Sequence, residues 1–83
     1  MSERVVLYSR QGCHLCDEGR GVVQAVCAEL DVLWTEVDID ADPELKERYG
    51  DEVPVVAVDG ETVAFWRIEP TLLASALAKH DAD

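Results

Sequence analysis

Two cysteines separated by two residues, Cys13 and Cys16, are the part of this sequence best suited to carry out chemistry. They follow an apolar run and begin a segment with helical periodicity, so the first thiol is expected at a helix N-terminus. The unsatisfied N–H groups and the helix dipole at that end favour a thiolate over a thiol. The second thiol lies one turn further along, within reach of a disulfide with the first. This arrangement predicts a redox site in which Cys13 attacks a substrate disulfide and Cys16 resolves the mixed disulfide.

A CxxC pair is also half of a zinc site, and this is the main alternative. A closed zinc site needs four ligands, usually supplied by two spaced pairs. The third cysteine, Cys27, stands alone, and the two histidines of the chain have no ligand spacing. In a continuous helix Cys27 would lie ~16 Å along the axis from Cys16, beyond the reach of a disulfide. We therefore expect no metal site, and we expect Cys27 to be a small buried hydrophobe.

Composition and charge limit the classes of function. The 83 residues, 48% of them hydrophobic, suffice for a single domain over 1–83, and three cysteines are too few for the disulfide framework of a small secreted protein. The charged start and the shortness of every apolar run predict a protein without a signal peptide or membrane span. With so few cysteines we expect a cytoplasmic protein, and we expect it to be a monomer. The net charge of −11 argues against nucleic acid or membrane as partners. It would favour basic partners, but an acidic surface that serves solubility or adaptation to salt explains the charge at least as well.

Periodicity predicts seven elements in the order βαβαββα. The strands are expected at 5–8, 32–39, 53–58 and 61–66, and the helices at 14–30, 43–49 and 70–80. Two strands are continuously apolar and belong in the middle of a sheet, whereas the other two belong at its edges. Asp42-Pro43 and Gly50 are typical of the two ends of the middle helix, and Asp59-Gly60 of a type I′ hairpin turn. The expected fold is α/β, with a four-stranded mixed sheet of order 2-1-3-4 and helices on both faces.

Helical spacing also predicts which side chains the helices bury. The first helix should bury Leu15, Val22, Val23, Val26 and Leu30, and the last helix should bury Leu72, Leu73, Ala76 and Leu77. Leu15 can also face a substrate, but we favour the core. Gly19 and Gly21 lie inside the first helix, and each weakens it by about 1 kcal/mol relative to alanine.

This order of elements, with CxxC after the first strand and Val53-Pro54 opening the third, resembles the thioredoxin fold in its smallest, glutaredoxin-like form. The stretches 7–10 (LYSR) and 37–40 (VDID) and the late hairpin extend the resemblance over essentially the whole chain. The resemblance implies a disulfide oxidoreductase without a bound cofactor. Glutathione or a flavoprotein reductase would reduce it, and a disulfide-bearing protein or a small thiol compound would be its partner.

Further residues have roles that the resemblance implies or the motif allows. Arg10 matches a basic residue that contacts the glutathione carboxylate, although it can equally be an ordinary surface arginine. When protonated, His14 can stabilise the neighbouring thiolate, or it is a spacer facing solvent. In the family the proline at the position of Pro54 is cis and faces the thiols, although Pro54 can also be a proline that simply opens a strand at the end of the sheet. Val53 then offers its backbone groups to a bound substrate chain, like an added strand.

The sequence departs from glutaredoxins where those proteins bind glutathione. His-Leu replaces Pro-Tyr between the cysteines, and Glu52 replaces a threonine before Val-Pro. Arg67-Ile68 and Pro70-Thr71 stand in place of the Gly-Gly and paired aspartates that follow the last strand. The expected dithiol chemistry does not depend on these positions, whereas the identity of the reductant does.

Two other functions share part of this pattern. A small metal-binding chaperone also carries CxxC after its first strand, but its order would be βαββαβ and it would end on a strand. The expected helix at 70–80 discriminates against it. A redox-inactive interaction module of the same fold would keep its function with serine at Cys13.

Overall fold

The computed structural model describes residues 3 to 81, and its elements follow the expected order with one added 3-10 turn. The strands are β1 (Val5–Ser9), β2 (Trp34–Asp38), β3 (Val55–Val58) and β4 (Glu61–Phe65). The helices are α1 (His14–Leu30), α2 (Pro43–Tyr49) and α3 (Pro70–Asp81), and the 3-10 turn (Ile39–Ala41) precedes α2. The predicted bounds of the helices are therefore confirmed, with α3 one residue longer than expected. No helix within residues 3–81 is both long and apolar enough to cross a membrane.

The sheet has the predicted order β2-β1-β3-β4. β1 runs parallel to β2 and antiparallel to β3, and β3 runs antiparallel to β4. One row of paired residues crosses all four strands near the end of β1: Val37, Tyr8, Val55 and Phe65. The CxxC turn, the entry into β3 and the exit from β4 thus lie at the same end of the sheet.

Three strands are shorter than their apolar patterns predict. β2 ends at Asp38, whose carboxylate accepts the N–H of Asp40 at 3.0 Å and starts the 3-10 turn. β3 starts at Val55, because the preceding proline has no N–H to donate to a ladder. β4 ends at Phe65, and Trp66 turns away with a φ of 65°. Burial and ladder hydrogen bonding are separate properties, and the apolar pattern reports only the first.

The predicted turn and cap residues behave as expected at two of three sites. Asp59 and Gly60 have φ values of 51° and 87°, in keeping with a type I′ turn. The Asp42 side chain caps α2 by accepting the N–H of Glu44 at 2.9 Å. Gly50 follows the last residue of α2, but with φ −52° and ψ −38° it is right-handed, so the left-handed stop typical of a C′ glycine is wrong here.

The core has two parts, one on each face of the sheet. The larger part lies under α1 and α3, where Val23, Val26, Leu73 and Leu77 pack against β1, β3 and β4. On the other face, Tyr8 stacks on Tyr49 of α2 with ring centroids 4.8 Å apart. Helices thus cover both faces, as predicted.

The buried face of α1 differs from the predicted stripe. Leu15 and Leu30 are 36% and 46% exposed, whereas Cys16, Gly19 and Cys27 are buried. Leu72 of α3 is exposed as well. Helical spacing predicts large aliphatic residues on the buried face of α1. In the structure, smaller residues occupy this face at the start of α1, and they let the helix approach the loop before β3. A Cβ added to Gly19 would lie 3.2 Å from Cγ of Pro54 and from Cγ1 of Ile68.

The two glycines of α1 should therefore respond differently to alanine. Gly21→Ala meets no atom within 4 Å, so the gain in helix propensity should raise the free energy of unfolding by about 0.5–1 kcal/mol. Gly19→Ala has the same gain in propensity but must displace Pro54 and Ile68, and its effect should be less favourable. Urea denaturation of both variants measures the difference. Equal effects would contradict the close approach of α1 to Pro54.

Candidate active site

Cys13 is the N-cap residue of α1. Gly12 before it has a φ of 76°, a left-handed conformation that favours glycine and turns the chain into the helix. The Cys13 sulfur accepts a hydrogen bond from the N–H of Cys16 at 3.2 Å, and the backbone carbonyl of Cys13 accepts one from the N–H of Asp17 at 3.2 Å. The half-exposed sulfur therefore occupies the capping position at which a helix N-terminus stabilises negative charge.

Cys16 is fully buried, in the cluster that also contains Val53 and Val55. Burial raises the pKa of its thiol to about 12, and a hydrogen bond with the Cys13 thiol adds to the shift. The backbone of Arg10 and the charge of Arg20 oppose it. The motif therefore presents one accessible sulfur and one protected, protonated thiol, and both cysteines are free.

Cys27 lies apart from this pair, in the core beneath α1. Its side chain is fully buried, and burial raises the pKa of its thiol. The prediction of a small buried hydrophobe is confirmed. Among the described side chains, those of residues 3–79, no three from His, Cys, Asp and Glu converge in a way that could hold a metal ion. The second ligand pair of a closed zinc site is thus missing from the described chain.

The loop before β3 packs against the start of α1. The Val53-Pro54 peptide bond is cis, as the resemblance implies, and both residues are buried. Pro54 contacts the helix where Gly19 leaves room for it, one turn after Cys16. The N–H of Val53 donates to the carbonyl of Tyr49 at 3.1 Å. Of the two backbone groups expected to receive a substrate chain, the N–H is therefore already paired within the protein.

Arg10 and His14 lie on either side of Cys13 in the chain. The Arg10 guanidinium donates to Asp40 at 3.1 Å and to the carbonyl of Gly50 at 3.4 Å, so it faces the 3-10 turn and the end of α2. An incoming carboxylate would have to share this guanidinium with Asp40. His14, the first residue of α1, is exposed.

The sequence pattern does not predict an ionic network that lies beside Cys16. The buried Ser9 hydroxyl donates to Glu36 at 2.6 Å, and Arg20 binds both oxygens of that carboxylate at 2.7 Å. Arg20 also donates to Asp17 at 2.8 Å. These bonds tie α1 to the end of β1 and to the middle of β2. The Arg20 hydrogen bonds, ahead of that from Ser9, lower the pKa of Glu36. A groove of about 350 Å³ runs along the network. The only sequence signal was the position of Arg20, four residues after Cys16.

Trp66 is a second feature that the sequence pattern misses, because the pattern predicts it as the last residue of β4. Its backbone N–H donates to the carbonyls of Pro54 and Glu52 at 2.8 and 3.2 Å, and its indole N–H donates to the carbonyl of Asp51 at 2.8 Å. The indole therefore lies on the loop that carries the cis-proline. The backbone of Trp66 has a φ of 65°, which is unusual for a bulky residue.

Known proteins share this sequence pattern and this fold. Residues 4–78 match the family model described as the glutaredoxin-like domain (DUF836). An uncharacterized protein of Mycobacterium tuberculosis is 30% identical over 81 residues, covering 92% of this chain and 84% of that protein. The X-ray structure of a structural-genomics target from X. campestris superposes with a TM-score of 0.76 at 30% identity, covering 90% of this chain and 96% of its own. Fasciola hepatica thioredoxin superposes with a TM-score of 0.64 at 27% identity, covering 92% of this chain and 78% of its own. These similarities extend well beyond the cysteine motif.

Alkylation of the native, reduced protein should distinguish the three thiols. At mildly alkaline pH, iodoacetamide should modify Cys13 and spare Cys16 and Cys27, because both are buried and burial raises the pKa of each thiol. Mass spectrometry of proteolytic peptides identifies the labelled site. The urea-denatured protein is the control, in which all three should react. Equal labelling of Cys13 and Cys16 in the native protein would contradict the assignment of one accessible thiol.

The network around Glu36 should contribute to stability in a pH-dependent way. Because its pKa in the folded protein lies below the ordinary value of 4.5, the contribution is present above pH 4.5 and is lost as the pH falls through the folded value. Glu36→Gln should lower the free energy of unfolding at neutral pH by about 1 kcal/mol and flatten its decline in acid. Chemical denaturation across this pH range measures both effects. Glu29→Gln, at an exposed carboxylate of α1, is the control, and a Glu36→Gln curve of unchanged shape would contradict the prediction.

Proposed function

Since the chain belongs to the glutaredoxin-like family, with the thioredoxin fold that its residues predict, we propose that it is a thiol–disulfide oxidoreductase in which Cys13 and Cys16 form the working dithiol. One observation carries the proposal: the half-exposed sulfur of Cys13 accepts the N–H of Cys16 at the start of α1, and the thiol of Cys16 is buried directly behind it. An attacking thiol has to be accessible, whereas a resolving thiol has to be protected from outside reagents and close to the first.

In the first step, the Cys13 thiolate attacks one sulfur of the substrate disulfide. The substrate S–S bond breaks, a mixed disulfide forms between Cys13 and the substrate, and the other substrate sulfur leaves as a thiolate that takes up a proton. In the second step, Cys16 loses its proton and attacks the Cys13 sulfur, the mixed disulfide bond breaks, and the remaining substrate sulfur leaves as a thiolate that also takes up a proton. The substrate thus gains two electrons and two protons, and the enzyme is left with a Cys13–Cys16 disulfide.

The thiol of Cys16 must ionise only in the second step, and its surroundings suit this order. Burial is the largest cause of its raised pKa, and it persists throughout the reaction. The other two causes that raise the pKa are the hydrogen bond with Cys13 and the Coulombic effect of Cys13, and both involve the attacking sulfur itself. Both depend on a free Cys13 sulfur, which the mixed disulfide no longer offers. The backbone of Arg10 and the charge of Arg20, which lower the pKa, remain. Formation of the mixed disulfide therefore makes Cys16 easier to ionise when it is needed.

The substrate side of the site is assigned to the residues around Cys13. The side chains of Val53 and Pro54 are buried, so an extended substrate segment would contact this loop through its backbone, at the Val53 carbonyl. The exposed His14 supports the Cys13 thiolate when it is protonated, and Arg10 receives a carboxylate in competition with Asp40. The proposed partners are a disulfide-bearing protein or small thiol compound and, as electron donor, glutathione or a flavoprotein reductase. The proposed setting is a reducing compartment such as the cytoplasm.

Serine variants of the two cysteines test the function. Cys13→Ser should abolish reduction of a small disulfide, because no other thiol among residues 3–81 is exposed. Cys16→Ser should instead accumulate mixed disulfides on Cys13, seen as an increase in protein mass equal to one substrate thiol. NADPH consumption is followed in parallel with glutathione plus glutathione reductase and with thioredoxin reductase.

Cys27→Ala is the matched control, because Cys27 lies in the core away from the dithiol and its loss should leave the rate unchanged. Retained activity in Cys13→Ser with either reducing system would overturn the proposal and favour a redox-inactive module of the same fold.

A further inference from the structure

Trp66 displays a large aromatic surface at the site where the chain leaves the sheet. Its side chain is 55% exposed, and its ring meets that of Phe65 edge-on with centroids 5.7 Å apart. Its left-handed backbone is held by hydrogen bonds to Pro54 and Glu52, and its ring by the carbonyl of Asp51. A bulky residue is held in a sparsely populated conformation only where its surroundings over-determine it. Here those bonds fix an indole on the surface.

The position of Trp66 relative to the thiols follows from the register of the sheet. Phe65 pairs with Val55, and Val55 pairs with Tyr8 near the end of β1. β4 is two strands away from β1, or about 10 Å at the usual strand spacing. The next residues at this end of the sheet are Trp66 on one side and the turn to Cys13 on the other. Trp66 and the CxxC turn therefore lie at the same end of the sheet, two strands apart.

The loop that holds the indole carries two carboxylates, and Arg67, the residue after Trp66, is an exposed cation. Asp51 and Glu52, in the loop that holds the indole, both have exposed side chains. The nearby guanidinium groups of Arg10 and Arg20 are paired with carboxylates within the protein. Arg67 lies in a separate groove with Glu18 and Glu69. The whole chain carries a net charge of −11. The loop therefore presents an aromatic face beside carboxylates.

We propose that Trp66, Asp51 and Glu52 form a docking surface for a basic extended segment next to the disulfide of a substrate protein. A lysine or arginine of that segment lies over the indole, the aromatic ring that binds cations best, and a neighbouring basic residue meets the carboxylates. A second copy of this chain does not fit, because a symmetric contact would place Asp51 and Glu52 against themselves. This inference names the substrate class and rests on the proposed function.

Two disulfide peptides of identical core sequence, one flanked by lysines and arginines and the other by glutamates, test the proposal. The ratio of kcat/KM for the basic peptide to that for the acidic peptide is the measured quantity. In the wild-type protein the ratio should be at least tenfold in favour of the basic peptide and should fall as salt is added.

Two variants probe the surface by different routes. Trp66→Gly tolerates the left-handed backbone and removes the indole, and it should reduce the preference roughly threefold to tenfold through KM. Asp51→Asn combined with Glu52→Gln removes both charges and keeps the main-chain carbonyl that holds the indole, so it should reduce the preference without disturbing the ring. Leu33→Ala is the control, because Leu33 is 50% exposed before the start of β2, at the opposite end of the sheet, and should leave the ratio unchanged.

The outcomes separate this inference from the function on which it rests. Turnover of both peptides with a wild-type ratio near one, or a ratio that neither variant lowers, would overturn the docking surface and leave the oxidoreductase intact. Failure to reduce any disulfide would overturn the function. In that case calorimetric titration with the same peptides carrying serine in place of cysteine decides the inference alone. Tighter binding of the basic peptide that Trp66→Gly weakens supports the surface, and equal binding of both peptides refutes it.

Discussion

The site depends on one hydrogen bond, from the N–H of Cys16 to the sulfur of Cys13. It exists because the left-handed Gly12 turns the chain so that Cys13 occupies the N-cap of α1, where helical N–H groups lack partners within the helix. The same geometry directs Cys16 inward, where burial keeps its thiol protonated. Two identical side chains three residues apart thus differ in exposure because of a single turn of backbone.

The rest of the fold holds that turn in place from two sides. On one side, Pro54 packs against Gly19, so the loop before β3 contacts α1 one turn after Cys16. On the other, the bidentate pair of Arg20 with Glu36 ties the helix to β2, and Ser9 connects the same carboxylate to β1. These contacts therefore join α1, β1, β2 and the loop before β3. They also account for the small residue at Gly19 and for a buried hydroxyl at the end of an otherwise apolar strand.

Sequence patterns predict this structure correctly where the chemistry is local. The spacing of the cysteines, the Asp42-Pro43 helix start and the Asp59-Gly60 turn each depend on residues that are neighbours in the chain, and their geometry is confirmed. Sequence patterns fail to predict the structure where a residue's neighbours come from elsewhere in the chain. Gly19 and Gly21 look alike as weak points of a helix, yet only Gly19 faces another element. Leu15 was expected in the core on its spacing and is exposed, because the smaller Cys16 and Gly19 occupy that face of the helix.

The sequence by itself therefore determined the α/β class, the order of the strands and the position of the dithiol at a helix start, because these follow from periodicity, turn chemistry and short-range spacing. Only the tertiary structure decided that Arg20 meets Glu36, that the N–H of Val53 is already paired, and that Trp66 lies beside the cis-proline. The physical reason is that each of these contacts joins residues far apart in the chain. Their distance depends on how the elements pack, and no pattern within a single element records it.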